Sequence, residues 1–331
     1  MWLLWALRLG TILVPIVPAR LGYAICRGVG QLAYLTSYRA RRQVLGNLEH
    51  SAPYASRLHR HRAAIGVFTT AATNYFDLLR LRAADDDELR EFMDIHGERH
   101  LDQAVAAGKG VIVVSAHLGN FNVVARYPAI CGWPTAIVAE QVRPPGLDAL
   151  LTHLRSTAGL EIISTGPGAV RSILSLLHRK GVVLLAADRD IGGHSHPVSF
   201  FGAPANLPAG PVILAMHTGA PLLPAFTIRR SPWKSDVYID RPIDLVKTGD
   251  FDADLQSNLR LMAAALERMI ATDPAQWAVL QAVWKPTGTP SGRQRERRGS
   301  VPDALNRYLS RQTWAVGGPV VFGSAVRPVS L

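Results

Sequence analysis

Gly110-Val111-Ile112-Val113-Val114-Ser115-Ala116-His117-Leu118-Gly119-Asn120-Phe121-Asn122 is the stretch that decides the fold of this chain. Val111–Ser115 is short, β-branched and uncharged, and glycine and polar residues bound it, the pattern of a strand buried on both faces. Runs of the same texture recur at Thr135–Ala139, Glu161–Ile163, Val182–Ala186, Leu222–Phe226 and Val237–Ile239. A helix over Glu98–Ala107 precedes the first, and helical segments separate most of them: Leu147–Ala158, Ala169–Arg179, Pro211–Thr218 and Phe251–Thr272. Strands alternating with helices predict an α/β fold, with a largely parallel central sheet flanked by helices. Ligands then bind beyond the carboxyl ends of the strands, and His117 follows one such end.

A histidine there can act as a general base. Gly119 allows close backbone approach to a ligand, and Asn120 and Asn122 offer uncharged hydrogen bonds. A second strand end carries Asp188-Arg189-Asp190. One of its carboxylates can fix the tautomer of His117, and Arg189 can grip a phosphate or carboxylate in a fork; a structural ion pair is the alternative. A third segment runs Phe200-Phe201-Gly202 and on to Pro208-Ala209-Gly210-Pro211. Phe200 and Phe201 either wall a hydrophobic slot or pack in the core. Gly210 stands at a helix start, where backbone amides accept anions. His194 and His196 form a pair without an evident third ligand, so no metal site is expected. No G-x-S-x-G elbow, phosphate-binding loop or strand-linked dinucleotide fingerprint is present.

The amino end has a different character. The 331 residues carry a formal charge of +11, and residues 1–62 hold nine arginines against a single acid, Glu49. The same region is the most apolar, but Arg8, Arg20 and Arg27 interrupt it before any run reaches spanning length, and Pro15 and Pro18 break its continuity. No charged leader precedes an apolar signal core. Arginines set among aliphatics and a tryptophan pair suit helices lying in the headgroup layer of an anionic membrane; buried core helices are the alternative. Helix-turn-helix, zinc-finger and aromatic RNA-binding signatures are missing, so nucleic acid is not the expected partner. Helices are predicted over Arg39–Leu48 and Ala55–Leu81, and the acids Asp85–Glu88 open another that runs on toward Met93. These features divide the chain into a helical, apolar and basic region at 1–95, an α/β core at 96–285 and a basic, mostly disordered tail at 286–331. Cys26 and Cys131 are the only cysteines, too few for a disulfide scaffold.

In order, Arg41-Arg42 with Asn47-Leu48, Gly108–Ile112 leading into His117–Phe121, Asp188-Arg189-Asp190, Phe200-Phe201-Gly202, Pro208–Pro211, Thr218-Gly219-Ala220 and Pro274–Trp277 with Lys285 give a specific set. With them the chain resembles the bacterial lipid A biosynthesis (lauroyl/myristoyl) acyltransferases, from about residue 5 to 286, and most nearly the phosphatidylinositol mannoside branch. The resemblance implies a glycerolipid-acyltransferase-like fold. It implies acyl transfer from acyl-CoA or acyl carrier protein, as a substrate and without a bound cofactor, to a glycolipid hydroxyl. The place implied is the cytoplasmic face of the cytoplasmic membrane, reached as a peripheral or monotopic protein. The family's histidine is matched by His117, but the acid five positions later is Asn122. The mannoside branch implies Asp188 as the histidine's partner, with Asn122 an auxiliary orienter. Arg189, Asp190, Asn120, Phe200, Phe201 and Gly210 are the expected substrate contacts. Gln281 replaces a family histidine. A non-catalytic lipid-binding scaffold with a degenerate site, or an acyl-CoA hydrolase, are the rival readings.

Overall fold

The computed structural model describes residues 2–80, 84–156, 159–166, 168–190 and 195–284. The basic tail at 286–331, Lys285 and His194 lie outside them. A seven-stranded sheet forms the centre, in the order β1 (Met93–His96), β9 (Lys234–Ile239), β8 (Leu222–Ser231), β2 (Val111–Ser115), β5 (Val182–Ala186), β3 (Thr135–Ala139) and β4 (Glu161–Ser164). All neighbouring pairs are parallel except β8 with β9. This is the largely parallel α/β sheet expected.

Alternation along the strands explains both faces. Val111, Val113, Val182, Leu223 and Val237 point to the side covered by α5 (Asp86–Phe92), α6 (Glu98–Ala106), α7 (Phe121–Val124) and α8 (Tyr127–Ile130). Ile112, Val114 and Val183 point to the other, under α10 (Ala169–His178), α11 (Gly210–Thr218) and α12 (Phe251–Thr272). A strand used on both sides has no polar face to spare, which is why these runs are uniformly apolar.

Four helices precede the sheet: α1 (Trp2–Leu13), α2 (Ala19–Thr36), α3 (Tyr38–Ser51) and α4 (Arg57–Arg80). Leu4 and Leu7 of α1 and Leu78 and Leu79 of α4 meet Leu147, Leu151 and Leu154 of α9 (Pro145–Ser156). Helix α2 buries Tyr23, Cys26, Gly30 and Tyr34. It leaves Leu21, Ile25, Val29, Leu32 and Leu35 exposed along its other side. Among the described residues no helix is long and apolar enough to cross a membrane.

Three elements differ from the sequence expectations. Met93, read as helix, opens edge strand β1, because α5 stops at Phe92. Strands β6 (Ser195–Phe200) and β7 (Ala203–Pro208) form a separate antiparallel ribbon where a loop and an aromatic slot were expected. Its two-residue turn puts Phe201 and Gly202 at φ 49° and 72°, the left-handed pair that matches strand twist. Finally, β8 runs to Ser231, well past Phe226.

Candidate active site

The register of β2 on β5 sets the centre of the site. Ser115 lies opposite Ala186, so two residues further on the two chains bring His117 opposite Asp188. The His117 ring Nδ1 is 2.8 Å from Asp188 Oδ1, and the His117 backbone N–H donates to Oδ2 at 2.9 Å. Trp277 Nε1–H donates to the same Oδ2 at 2.7 Å. Burial of Asp188 would push its carboxyl up, but the adjacent His117 charge and these three donors outweigh it and hold the group at about 2. An ionised Asp188 only accepts, so His117 carries its proton on Nδ1 and keeps the Nε2 lone pair for chemistry.

His117 lines a cleft of about 180 Å³ along one face of the sheet. Val113, Ile137, Leu184 and Ala225 on four neighbouring strands make its apolar part. Four of its polar residues, His117, Asn122, Glu140 and Arg189, stand beyond the carboxyl ends of the strands. Phe121 meets the His117 ring edge-on at 5.1 Å between centroids.

The expected site residues divide. His117, Asn122 and Arg189 share the cleft, with Asp188 buried directly behind His117. Arg189 Nη2 also donates to Glu140 Oε2 at 3.2 Å, so part of its charge is already matched. Asn122 lines the cleft, and the side-chain bond that orients His117 comes from Asp188, the partner expected; Asn122, expected as an auxiliary orienter, makes no bond to the ring. Asp190 lies outside the cleft lining. Asn120 is fully buried and donates from Nδ2 to Asp77 Oδ2 at 2.9 Å, so it anchors the loop where a substrate contact was expected. Phe200 is also a correction: it is fully buried and stacks on Trp284, whose ring abuts Trp277, the donor to Asp188, so it packs in the core and not against a substrate. Phe201 packs against the same pair of rings, and its N–H meets Glu267. Gly210 opens α11, a core helix, and does not reach the cleft. No group of three or more His, Cys, Asp or Glu among the described residues is placed to hold a metal.

Two further groups escape a reading of the sequence. Arg155, in the last turn of α9, lines the cleft with its Nε buried and unpartnered, and burial pulls its pKa down. Asp77 of α4 is fully buried and accepts from Tyr23 OH, Asn120 Nδ2 and Arg229 Nη2. One turn earlier on α4, Asn74 Nδ2 donates to Gly119 O at 2.8 Å. The segment that carries His117 is thus tied to α4 on one side and to residues 276–278 on the other, where Gly119 N–H donates to Gln276 O and His117 O accepts from Ala278 N.

Gly119 itself sits at φ 54°, and a Cβ there would fall 2.3 Å from Thr227 O. Gly119→Ala is therefore expected to displace the loop at a cost of at least ~1–3 kcal/mol. A fall in the thermal midpoint accompanied by loss of the Phe121–His117 ring contact in a structure of the variant would check it.

A histidine backed by a buried carboxylate at the polar end of an apolar cleft is an arrangement that can take a proton beside an apolar group. The sequence matches the profile of the bacterial lipid A biosynthesis acyltransferases over residues 1–286, and the chain belongs to that family. It is 32% identical over 214 residues to the phosphatidylinositol mannoside acyltransferase of Mycobacterium tuberculosis, a match that spans 63% of this chain and 66% of that protein. The protein of the same description from Mycolicibacterium smegmatis is 31% identical over 63% of this chain and 67% of its own length. The lipid A biosynthesis lauroyltransferase of Escherichia coli is 25% identical over 88% of this chain and 94% of its own.

Proposed function

We propose that this chain moves a fatty acyl group from a thioester, acyl-CoA or acyl carrier protein, to a hydroxyl of a phosphatidylinositol mannoside-like glycolipid at the cytoplasmic membrane surface. The observation that carries the reading is the His117–Asp188 pair opening onto an apolar cleft. His117 Nε2 takes the proton of the acceptor hydroxyl as its oxygen attacks the thioester carbonyl. The tetrahedral intermediate collapses with cleavage of the C–S bond, and the proton passes from His117 to the departing thiolate. Asp188 holds the ring and supports the imidazolium. The strand-lined part of the cleft takes the acyl chain and keeps water from the ester. Because Asp188 supplies the carboxylate that Asn122 lacks, the geometry favours turnover over a binding-only scaffold. Higher identity to the mycobacterial relatives than to the lauroyltransferase supports the mannoside-type acceptor.

The exposed aliphatic side of α2, with Trp5, Leu9 and Ile12 of α1, supports a peripheral seat in the headgroup layer, arginine heads at lipid phosphate. The test is transfer of label from palmitoyl-CoA or palmitoyl-acyl carrier protein to phosphatidylinositol mannosides in vesicles. Ester formation with wild type supports the assignment. Free fatty acid release that ignores the acceptor marks a hydrolase and removes it.

Arg155 is proposed to meet the anionic part of a substrate, the diphosphate or phosphodiester of the donor or the acceptor phosphate. Arg155→Gln is expected to lower kcat/KM roughly tenfold to a hundredfold, the worth of one charge-assisted hydrogen bond, with thermal stability unchanged or raised. Steady-state kinetics against donor and acceptor separately assign the partner by which KM moves.

A further inference from the structure

A second basic cleft lies far from His117. It has a volume of about 440 Å³, and Tyr38, Arg41, Arg42 and Glu49 of α3 and Arg60 of α4 line it. Arg60 and Asp77 are seventeen residues apart on one helix, which at the helical rise puts this cleft about 25 Å from the loop that carries His117.

Its three guanidiniums face one carboxylate. Arg60 Nη1 pairs with Glu49 at 3.1 Å, but Arg60 Nε is buried and unpartnered. Arg41 Nη1 donates to Tyr34 O and Leu35 O at the end of α2 and lies over the Tyr34 and Tyr38 rings, which fixes its position. Arg42 has no partner among the described residues. Three guanidiniums lining one cleft against one carboxylate leave an excess of positive charge that an anion would match, and their planar forks fit phosphate oxygens.

The cleft also adjoins apolar surface. Leu35, whose carbonyl Arg41 holds, ends the exposed row Leu21, Ile25, Val29, Leu32 and Leu35, and Tyr38 at the cleft is 64% exposed. A phosphate seated among the arginines would thus have its attached chains running along α2. A free phosphate would leave that row uncovered, and a polar partner would gain nothing from it. We propose that the cleft binds the headgroup phosphate of an anionic phospholipid, distinct from the lipid that reacts at His117, and so fixes the orientation of the protein on the bilayer. The inference rests on the membrane-surface reading of the function.

The test measures sedimentation of the full chain with vesicles of phosphatidylcholine, alone or mixed with phosphatidylinositol. Arg42→Gln/Arg60→Gln is compared with Arg8→Gln/Arg27→Gln, which removes the same charge from the membrane-facing helices. A specific headgroup site predicts that the cleft variant loses about tenfold more affinity for the anionic vesicles than the control. Glu49→Gln, which removes the competing carboxylate, is expected to bind them more tightly, a readout that misfolding cannot imitate. Equal losses in the two double variants overturn the site and leave diffuse attraction. Thermal protection by inorganic phosphate that needs Arg42 and Arg60, with vesicle binding indifferent to them, overturns the lipid in favour of a soluble anion. A wild type that ignores every vesicle overturns the membrane reading itself.

Discussion

His117→Ala is expected to reduce ester formation to the uncatalysed background while leaving a folded protein that still binds donor. The ring is 18% exposed, and after its removal the buried Asp188 carboxylate keeps the backbone N–H of residue 117 and Trp277 Nε1–H as donors. Nε2 has no substitute, since Asp188 is buried behind it. Asp188→Asn is expected to lower kcat by roughly 10³–10⁴-fold, the scale seen when the acid of a histidine–carboxylate pair loses its charge. The amide offers an N–H toward Nδ1, favours the wrong tautomer and cannot support imidazolium. Asp188→Asn also has a pH signature in stability, which tests the charge pairing itself. The Asp188 carboxyl lies at about 2 in the folded chain, against ~3.9 for an unperturbed aspartate. A depressed value means the native state binds its proton less readily than the unfolded chain does. The carboxylate therefore contributes stability, on the order of 2 kcal/mol, that is full above the unfolded value and is lost as pH falls from about 4 toward 2. Asp188→Asn should flatten that acid limb in denaturation measured against pH. An unchanged limb would mean that the His117–Asp188 contact does not exist in solution.

Much of this arrangement is legible in the sequence for a reason that belongs to parallel sheets. Strands buried on both faces must be apolar throughout, so Val111–Ser115 and Val182–Ala186 stand out, and polar residues just past their carboxyl ends sit where such sheets bind ligands. Which of Asp188 and Asp190 meets His117 is not legible from the residues themselves: the family resemblance implies Asp188, and the β2–β5 register in the structure, one offset along the whole pair, sets it opposite His117. The β6–β7 ribbon is not legible in the same way. Pro197, Pro204 and Pro208 argue against strands, and only a two-stranded ribbon, with edges on both sides, tolerates them. The sequence therefore leaves Phe200 between slot wall and core, and the structure decides for the core, with its partner Trp284 far along the chain. Arg155 and Asp77 are hidden for another reason. Each lies on a helix whose pattern is an ordinary amphipathic one, and the partners of Asp77 are 43 to 152 positions away. Helical periodicity reports which face is buried and says nothing about which distant side chain meets it.

Asp77→Ala is expected to destabilise the chain by about 3–5 kcal/mol, because it leaves the Arg229 guanidinium largely buried without its counter-charge. Tyr23 OH and the Asn120 amide lose their acceptor in the same step. Burial already pushes the Asp77 carboxyl up, against the pull of Arg229 and of the hydrogen bonds from Tyr23 and Arg229, so the ionised form depends on this particular set of partners. Stability alone would not show whether Asp77 also positions the site. Asp77→Ala/Arg229→Met removes both charges and replaces the guanidinium with an apolar chain of similar reach. Most of the lost stability should return, as it does when a buried ion pair is exchanged for packing. Activity should not return, since Asn120 still lacks the acceptor that fixes the turn between His117 and Phe121. The expected pattern is a lowered kcat with little change in donor KM, together with a non-additive cycle in stability. A double variant that recovers rate along with stability would reduce Asp77 to a structural ion pair. One that recovers stability alone would make α4, whose neighbour α2 carries the exposed aliphatic row, the support on which the reactive loop is set.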